Sequence, residues 1–260
     1  MINLLNLVNS FKIFGIEIKF YGITMALAML VGVILACKNA KLRGLNSDNI
    51  FLVALYILPI SIIGARLFFV LGSDMSYSFL EILQIWNGGM SIYGGIIGGA
   101  IGVLLYCLIH KKNFFDVADV ACVSLIIGQA IGRWGNFFNQ EVYGHVVTNP
   151  NWQWFPFAVL LDNGEWHYAL FFYEFLINIL IFIALMFIIK KVKNKGIVTS
   201  VYLISYGLVR FILEPLREAE YNLMLFGVKL SSITSLIAFI VGVALFVFFL
   251  LKSKLKNKNN

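Results

Sequence analysis

Charged side chains stand inside otherwise apolar stretches of this chain, and they are the residues best suited to chemistry. A charge within the hydrocarbon of a membrane is costly, so each such residue is a functional candidate by default. Seven residues meet this description: Arg66, Asp119, Arg133, Glu141, Glu174, Arg210 and Glu214. Arginine forks bind phosphate through paired hydrogen bonds, so two or three arginines in a dry pocket predict an anion site. For a pocket inside a membrane, the obvious anion is the phosphate of a lipid headgroup.

The composition indicates that membrane-spanning helices must position these charges. Of the 260 residues, 60% are hydrophobic and 13% are charged, whereas a soluble domain is nearer half apolar and a quarter charged. This excludes both a soluble domain and a disordered chain. Seven apolar runs are long enough to span a bilayer. They are Phe20 to Cys37, Ile50 to Leu71, Gly89 to Ile109, Phe115 to Arg133, Tyr168 to Ile189, Ile197 to Glu214 and Ser231 to Leu251.

The sequence therefore predicts an all-α polytopic membrane protein with seven transmembrane helices. We expect one transmembrane domain over residues 1–251 and a solvated, disordered basic tail over 252–260. The first apolar run is expected to be a retained span, since no basic start precedes it and no small-residue cleavage site follows it. The three cysteines, Cys37, Cys107 and Cys122, lie in or beside apolar runs and are expected to be packing residues rather than ligands.

The basic residues predict the orientation of the chain. The net charge is +7, and 13 of the 20 Lys and Arg residues fall in one set of alternating connections and the tail. This asymmetry fits the positive-inside rule better than nucleic-acid binding, and no nucleic-acid partner is expected. It places the N-terminus outside and the C-terminus in the cytoplasm. In a bacterial cell the membrane would be the inner membrane, and we expect a monomer.

In this topology six of the seven charges converge on the outer half of the membrane. The depths follow from the rise of about 1.5 Å per residue in a helix. Asp119 lies near the inner face, where we interpret it as a helix-start residue beside Asp116. Buried Arg–Glu pairs could simply hold the bundle together, as Arg210 and Glu214 could at i, i+4. A polar cavity open to the outside is the favoured interpretation.

Two outer connections, at about 72–88 and 140–167, are expected to be periplasmic segments. The first contains an amphipathic piece from Phe79 to Trp86. The second is rich in aromatic side chains, including Trp152, Trp154 and Phe155. Such residues either anchor a protein at the membrane interface or shape the mouth of a site.

Glycines form a stripe in the third span. Spacing of four places Gly94, Gly98 and Gly102 on one helical face, with Gly95 and Gly99 beside them. Close helix packing accounts for such a stripe. The alternative is a gap for an acyl chain, or backbone contact with a headgroup.

The segment from Gly132 to Gly144 is the most informative part of the chain. Five polar residues crowd the exit of an apolar helix, and packing does not readily explain them. They are Arg133, Asn136, Asn139, Gln140 and Glu141. We expect Gly132 and Gly135 to permit close approach and Gly144 to permit a turn.

At this segment the chain resembles the bacterial prolipoprotein diacylglyceryl transferases, whose signature runs Gly-Arg-x-Gly-Asn-Phe, then Asn, Glu and Gly. Three other stretches are similar in the same order. Phe20-Tyr-Gly22 is similar to the opening of the family's first helix, and Ser91 to Gly99 resembles its His/Tyr-Gly-Gly motif. Tyr206 to Arg217 resembles its Tyr-Gly-x-x-Arg-x-x-x-Glu-x-x-Arg motif. The resemblance spans nearly the whole chain.

The resemblance implies transfer of a diacylglyceryl group from phosphatidylglycerol to the lipobox cysteine of a prolipoprotein signal peptide. A thioether forms and glycerol-1-phosphate leaves; no metal or soluble cofactor is implied. The implied catalytic residues are Arg133, Arg210, Asn136, Glu141 and Tyr93. The expected substrate-binding residues are Tyr21, Arg66, Gly94, Gly95, Gly98, Asn139, Gly144, Glu174, Glu214 and Arg217.

Some relatives have a histidine where Tyr93 stands, so the general base stays open between Tyr93 and Glu141. Before the fifth span, His167 to Glu174 keeps only His, Tyr and Glu of a longer family motif.

Three other classes of protein are alternatives to a lipid transferase of this family. A transporter or flippase would be expected to show polar groups at both membrane faces or an internal repeat. A polyprenyl-phosphate transferase would be expected to contain an aspartate-rich motif. A structural assembly protein does not need three intramembrane arginines.

Overall fold

A computed structural model describes residues 9–14, 16–73, 77–85, 89–218, 224–225 and 228–258 of the chain. Within these ranges seven helices are long and apolar enough to cross a membrane, as the sequence predicts. Their bounds are α1 Phe20–Ala40, α2 Ser47–Leu71, α4 Ile92–Ile109, α5 Phe114–Phe138, α6 Leu170–Lys191, α7 Ile197–Leu213 and α8 Leu230–Lys258. A short helix, α3, covers Phe79–Leu83. It accounts for most of the amphipathic piece predicted in that connection, whereas Trp86 lies outside the described residues.

Two helices end five or more residues beyond the predicted position, whereas the other helix ends lie within about three residues of it. Helix α5 continues five residues beyond the predicted end at Arg133, to Phe138, so Arg133 and Asn136 belong to the helix itself. Helix α8 continues to Lys258. The expectation of a disordered tail is therefore wrong up to that residue, because Lys and Leu are good helix formers and extend a helix that already exists. Asn259 and Asn260 lie outside the described residues.

Three short antiparallel hairpins lie in the connections, and the sequence did not predict them. β1 (Ser10–Ile13) pairs with β2 (Ile16–Lys19), β3 (Ala158–Leu160) with β4 (Trp166–Tyr168), and β5 (Met224–Leu225) with β6 (Val228–Lys229). Strands of two to four residues are too short to show an alternating pattern. The hairpin of β3 and β4 forms part of the framework of the candidate site.

The chain divides into two compact units, one of residues 1–35 and 121–260 and the other of residues 36–120. In the second unit α2 and α4 pack backbone against backbone. A Cβ on Gly102 would lie 2.9 Å from the Ile57 Cα, and one on Gly98 or Gly94 would overlap the carbonyls of Ile60 and Gly64. Close packing therefore accounts for the stripe of Gly94, Gly98 and Gly102. Gly95 lies beside it and accepts a hydrogen bond from Ser61 at 2.6 Å.

A buried ion pair in the second unit corrects the interpretation of Asp119. The Arg43 Nε lies 3.0 Å from the Asp119 Oδ2, and the two side chains are 3% and 0% exposed. Asp119 is thus the partner of Arg43 rather than a helix-start residue, and Arg43 is not a solvated charge of the inner connection. The sequence shows both charges, but their separation of 76 positions in the chain hides the pairing.

Arg66 binds the connection that follows its own helix. Its guanidinium donates to the backbone carbonyls of Glu81, Ile82 and Gly89 at 2.6–3.0 Å. Helix α3 begins with a capping box in which Ser78 and Glu81 exchange hydrogen bonds. Those bonds lower the pKa of Glu81 below its usual range. The contacts place Arg66 in a structural role within this unit, and a role in substrate binding stays a prediction.

In the first unit, aromatic packing joins α5 to α6. The indole of Trp134 has edge contacts with the rings of Phe137, Phe171 and Phe175 at 5.6–5.7 Å. The β3–β4 hairpin covers this cluster with the buried side chain of Val159. Helices α7 and α8 approach closely elsewhere, because a Cβ on Gly207 would lie 2.8 Å from the Ser235 carbonyl. These contacts support the facing ends of α5, α6 and α7.

Candidate active site

A carboxylate lies between two arginines where α5, α6 and α7 meet. Glu174, near the start of α6, pairs with Arg133 through one carboxylate oxygen. Its other oxygen is 3.1 Å from the Nη1 of Arg210, which lies on α7. Glu174 is 2% exposed and holds both guanidinium groups from the buried side. We call the connected side chains of Arg133, Asn136, Glu141, Glu174, Arg210 and Glu214 the charge network.

A second buried carboxylate continues the network. Glu214 accepts a bond from the Arg210 Nη2 at 2.7 Å, as the i, i+4 spacing allowed. It also accepts from the Ser231 hydroxyl at 2.5 Å, and the Arg217 Nη1 lies 3.9 Å away. Burial and the nearby Arg210 guanidinium lower the pKa of Arg217. An arginine with a lowered pKa still carries its charge at neutral pH.

At the other end of the network an amide links an arginine to a carboxylate. Asn136 Oδ1 accepts from the Arg133 Nη1 at 3.2 Å, and Asn136 Nδ2 donates to Glu141 at 2.9 Å. Asn136 lies one turn after Arg133 on α5, and Glu141 lies three residues beyond the end of that helix. Asn136 and Glu141 also line a small cavity, with Phe137, Tyr143 and Leu161 among its walls.

Within the charge network, the two arginines are more accessible than the two buried carboxylates that hold them. The side chains of Arg133 and Arg210 are 14% and 11% exposed, whereas those of Glu174 and Glu214 are 2% and 0% exposed. A guanidinium has five N–H donors, so an ion pair on one side leaves capacity for an anion on another. The structure therefore shows Arg–Glu pairs that join the helices. Binding of an anionic ligand by the two guanidinium groups stays a prediction.

The segment after α5 has no regular secondary structure, and backbone hydrogen bonds hold it in place. Gly144 forms an isolated antiparallel bridge with Arg217. Its N–H donates to the Tyr168 carbonyl at 3.0 Å, and the N–H of His145 donates to Leu216 at 3.2 Å. The prediction that Gly144 permits a turn is wrong. A Cβ at this position would lie 2.7 Å from the Tyr168 Cβ, so glycine is required by close packing. The left-handed residues are Gln140 and Val142 instead.

Tyr21 lies against the same stretch of α5. A Cβ on Gly135 would be 3.0 Å from the Tyr21 Cδ2, so the predicted close approach at Gly135 is confirmed. At Gly132 the nearest atom is the Met25 sulfur at 3.8 Å, an ordinary contact. Asn139 is exposed in the turn after α5, where its N–H donates to the Gly135 carbonyl. The structure thus brings Tyr21, but not the side chain of Asn139, against this helix.

The remaining predicted site residues belong to the second unit. Tyr93 lies in the first turn of α4, with its ring 6.3 Å from that of Phe68. Arg66, Gly94, Gly95 and Gly98 have the contacts described above. Their assignment to catalysis or substrate binding stays a prediction.

Sequence reasoning missed several polar residues around the charge network. Ser231 holds Glu214, and the buried His167 contacts the Gly144 carbonyl at 2.8 Å and Glu218 at 3.0 Å. Gln129 and Asn178 lie one turn along α5 and α6 from Arg133 and Glu174. Gln129 and Asn178 carry no charge and so do not stand out among the charged residues. Their spacing of four from Arg133 and Glu174 is the signal in the sequence that could have identified them.

Comparison with known proteins agrees with the motif resemblance. The family described as prolipoprotein diacylglyceryl transferase matches residues 9–248. The phosphatidylglycerol–prolipoprotein diacylglyceryl transferase 1 of Clostridium perfringens is 36% identical over 255 residues, which are 96% of this chain and 97% of that protein. Phosphatidylglycerol–prolipoprotein diacylglyceryl transferases of Clostridium botulinum (strain Langeland) and Clostridium novyi are also 36% identical, over 249 and 255 residues. These alignments cover 93% and 96% of this chain and 94% and 97% of those proteins.

Proposed function

Because the chain belongs to the prolipoprotein diacylglyceryl transferase family, we propose that it transfers the diacylglyceryl group of phosphatidylglycerol to the lipobox cysteine of prolipoproteins. This is the first step of lipoprotein maturation. The observation that carries the proposal is the placement of two accessible arginines, Arg133 and Arg210, on one buried carboxylate. Such a pair suits a phosphate at a membrane helix end.

The reaction exchanges one bond at the glyceryl carbon. The C–S bond to the cysteine forms as the C–O bond to the phosphate breaks. The phosphate changes from a singly charged diester into glycerol-1-phosphate, a monoester that gains negative charge. Arg133 and Arg210 would bind the diester and stabilise that added charge. Glu174 and Glu214 would hold the guanidinium groups in place, so little reorganisation is needed as the charge develops.

The thiol must lose its proton, because the thiolate is the nucleophile. Glu141 is a candidate base, since it is joined to Arg133 through Asn136. Tyr93 is the alternative. The proton leaves with the glycerol-1-phosphate or with solvent, so the reaction balances without a cofactor.

We place the site toward the outer leaflet of the bacterial inner membrane. The positive-inside distribution of Lys and Arg supports this placement, because it puts the end of α5 and the start of α6 outside. A prolipoprotein signal peptide would meet phosphatidylglycerol there. The segments at 72–88 and 140–167 would then be periplasmic, and the monomer stays the expected state.

Product analysis tests the proposal. Purified protein in detergent is mixed with phosphatidylglycerol and a lipobox peptide, and the peptide is examined by mass spectrometry. We expect a diacylglyceryl-modified cysteine. Arg210→Ala should lower the rate by about a hundredfold or more, as loss of a transition-state donor does.

Leu208→Ala is the matched control on the same helix, since Leu208 is 43% exposed on an apolar face and should behave as wild type. Near-wild-type transfer by Arg210→Ala would contradict the role of the arginines. Absence of product from folded, lipid-bound wild-type protein would favour a lipid transporter.

A further inference from the structure

Two amide side chains lie on the same helix faces as the Arg133–Glu174 pair, one turn farther along each helix. Gln129 precedes Arg133 by four residues on α5, and Asn178 follows Glu174 by four residues on α6. Residues four apart share a helical face. Arg133 lies near the end of α5 and Glu174 near the start of α6, so both steps lead away from the helix ends. Each amide therefore lies one turn beneath the charge network on its own helix, and we call the two amides the polar layer.

This layer has unused hydrogen-bonding capacity. Gln129 Nε2 donates to the Tyr202 hydroxyl at 3.0 Å. Within the described part of the chain, Gln129 Oε1 and Asn178 Nδ2 are buried and have no hydrogen-bond partner. Asn178 is 1% exposed. A buried polar group without a partner costs about 1–3 kcal/mol, so packing alone does not account for the amide.

Apolar residues would serve helix packing at this position. Asn178 belongs to the inward stripe of α6, whose next members are Ile181, Leu185 and Ile189. All three are apolar and buried. A polar residue in such a stripe is a functional candidate, and its open donor identifies the missing partner as a hydrogen-bond acceptor.

The spacing matches the structure of a glycerophospholipid. One helical turn is 5.4 Å, a length comparable with the separation of a lipid phosphate from its ester carbonyls across the glycerol backbone. Ester carbonyls accept hydrogen bonds and donate none. The hydroxyl of Tyr202 can accept or donate, so turning over the Gln129 amide keeps that bond and presents a second NH₂ group. The two amides could then serve two ester carbonyls.

We propose that Asn178 and Gln129 bind the ester carbonyls of the diacylglyceryl group while Arg133 and Arg210 bind its phosphate. The inference rests on the proposed function and adds a determinant of donor-lipid specificity. Binding at two levels fixes the glyceryl carbon between them, which is where the cysteine must attack. A lipid with alkyl ethers in place of acyl esters lacks both carbonyls and loses the lower contact.

Competition between ester and ether lipids tests this proposal. Initial rates of peptide modification are measured with 1,2-dioleoyl phosphatidylglycerol and with its 1,2-dialkyl ether analogue. Two hydrogen bonds to neutral carbonyls predict that wild type prefers the diester about tenfold. Asn178→Leu should reduce this preference to about threefold, and adding Gln129→Leu should remove most of the remainder. Ile181→Ala is the control on the same stripe, and it should leave the preference unchanged.

A second readout separates this inference from the proposed function. Purified protein is incubated with equal amounts of the two lipids, and the bound lipids are counted by native mass spectrometry. The same preference and the same loss in Asn178→Leu are expected without any reaction. A wild-type ratio in Asn178→Leu, or no preference in wild type, would overturn the ester site even if transfer occurs. If wild type modifies no peptide, the proposed function fails, and the binding ratio still decides on the ester site.

Discussion

Gly144 lies where close packing at the site leaves no space for a larger residue. A methyl group there would lie 2.7 Å from the Tyr168 Cβ and 3.1 Å from the Leu216 carbonyl. We predict that Gly144→Ala lowers transfer at least tenfold and destabilises the protein by about 1–3 kcal/mol, as overpacking does. The reason is that the segment carrying Gly144 must move away from Tyr168 and Leu216. Transfer rate and unfolding temperature in detergent measure the two effects.

Gly128→Ala is the matched control for this substitution. Its Cβ would lie 3.7 Å from the Ala28 carbonyl, an ordinary contact, and alanine is the better helix former. It should keep wild-type activity and stability. Equal behaviour of the two variants would show that the segment around Gly144 tolerates displacement.

At the residue scale the sequence predicts charged groups better than neutral ones. Arg133, Glu174 and Arg210 stand out because a charge is rare in an apolar run. Asn178 does not stand out in this way because it carries no charge, and the missing partner of its Nδ2 is visible only in three dimensions. Asp119 was misread for a related reason, since its partner Arg43 is distant in the chain.

Among the helices, Glu174 is the residue that ties α5 and α7 to α6. Removing its charge leaves Arg133 and Arg210 as facing like charges. Breaking a buried pair in this way costs about 3–5 kcal/mol, so Glu174→Gln should lower the unfolding temperature in detergent by several degrees and reduce transfer. Leu180→Ala, at a residue of the same helix that is 66% exposed, should change neither measurably. Wild-type stability of Glu174→Gln would mean that the aromatic contacts of Trp134 suffice to join the helices.

The contact between α2 and α4 gives a sharper test of helix packing, because two adjacent glycines differ in the space available for a side chain. A Cβ on Gly98 would overlap the backbone carbonyl of Ile60, whereas one on Gly99 would lie 3.6 Å from the Ser61 hydroxyl. We predict that Gly98→Ala destabilises the protein, and that Gly99→Ala does not. Thermal unfolding monitored by circular dichroism measures the difference. Equal unfolding temperatures would count against backbone packing as the role of the stripe.

Helix positions follow from the sequence because length and hydropathy determine them locally. The ends were less predictable. Helix α5 runs on through Arg133 and Asn136, since hydropathy falls there while the backbone remains helical. The strands β3 and β4 are too short to show a periodic pattern, so the sequence predicted neither this hairpin nor the backbone bridge at Gly144.

For the whole molecule, the distribution of Lys and Arg predicts an outside N-terminus and a cytoplasmic C-terminus. Cysteine labelling measures this in a background in which Cys37, Cys107 and Cys122 are replaced. Asn163→Cys, in the 140–167 connection, should react with a membrane-impermeant maleimide in intact cells, and Lys254→Cys should react only after permeabilisation. The reverse pattern would invert the topology and move the charge network to the inner leaflet.

We propose that the charge network catalyses exchange of a phosphate for a cysteine sulfur at a glyceryl carbon. The most direct test counts both products of one reaction, with purified protein, phosphatidylglycerol and a lipobox peptide. We expect one glycerol-1-phosphate to be released for each thioether-modified peptide. Arg133→Lys should lose both products in parallel, because lysine lacks the planar guanidinium that binds phosphate through two hydrogen bonds. Wild-type yields from Arg133→Lys, or peptide modification without release of glycerol-1-phosphate, would contradict it.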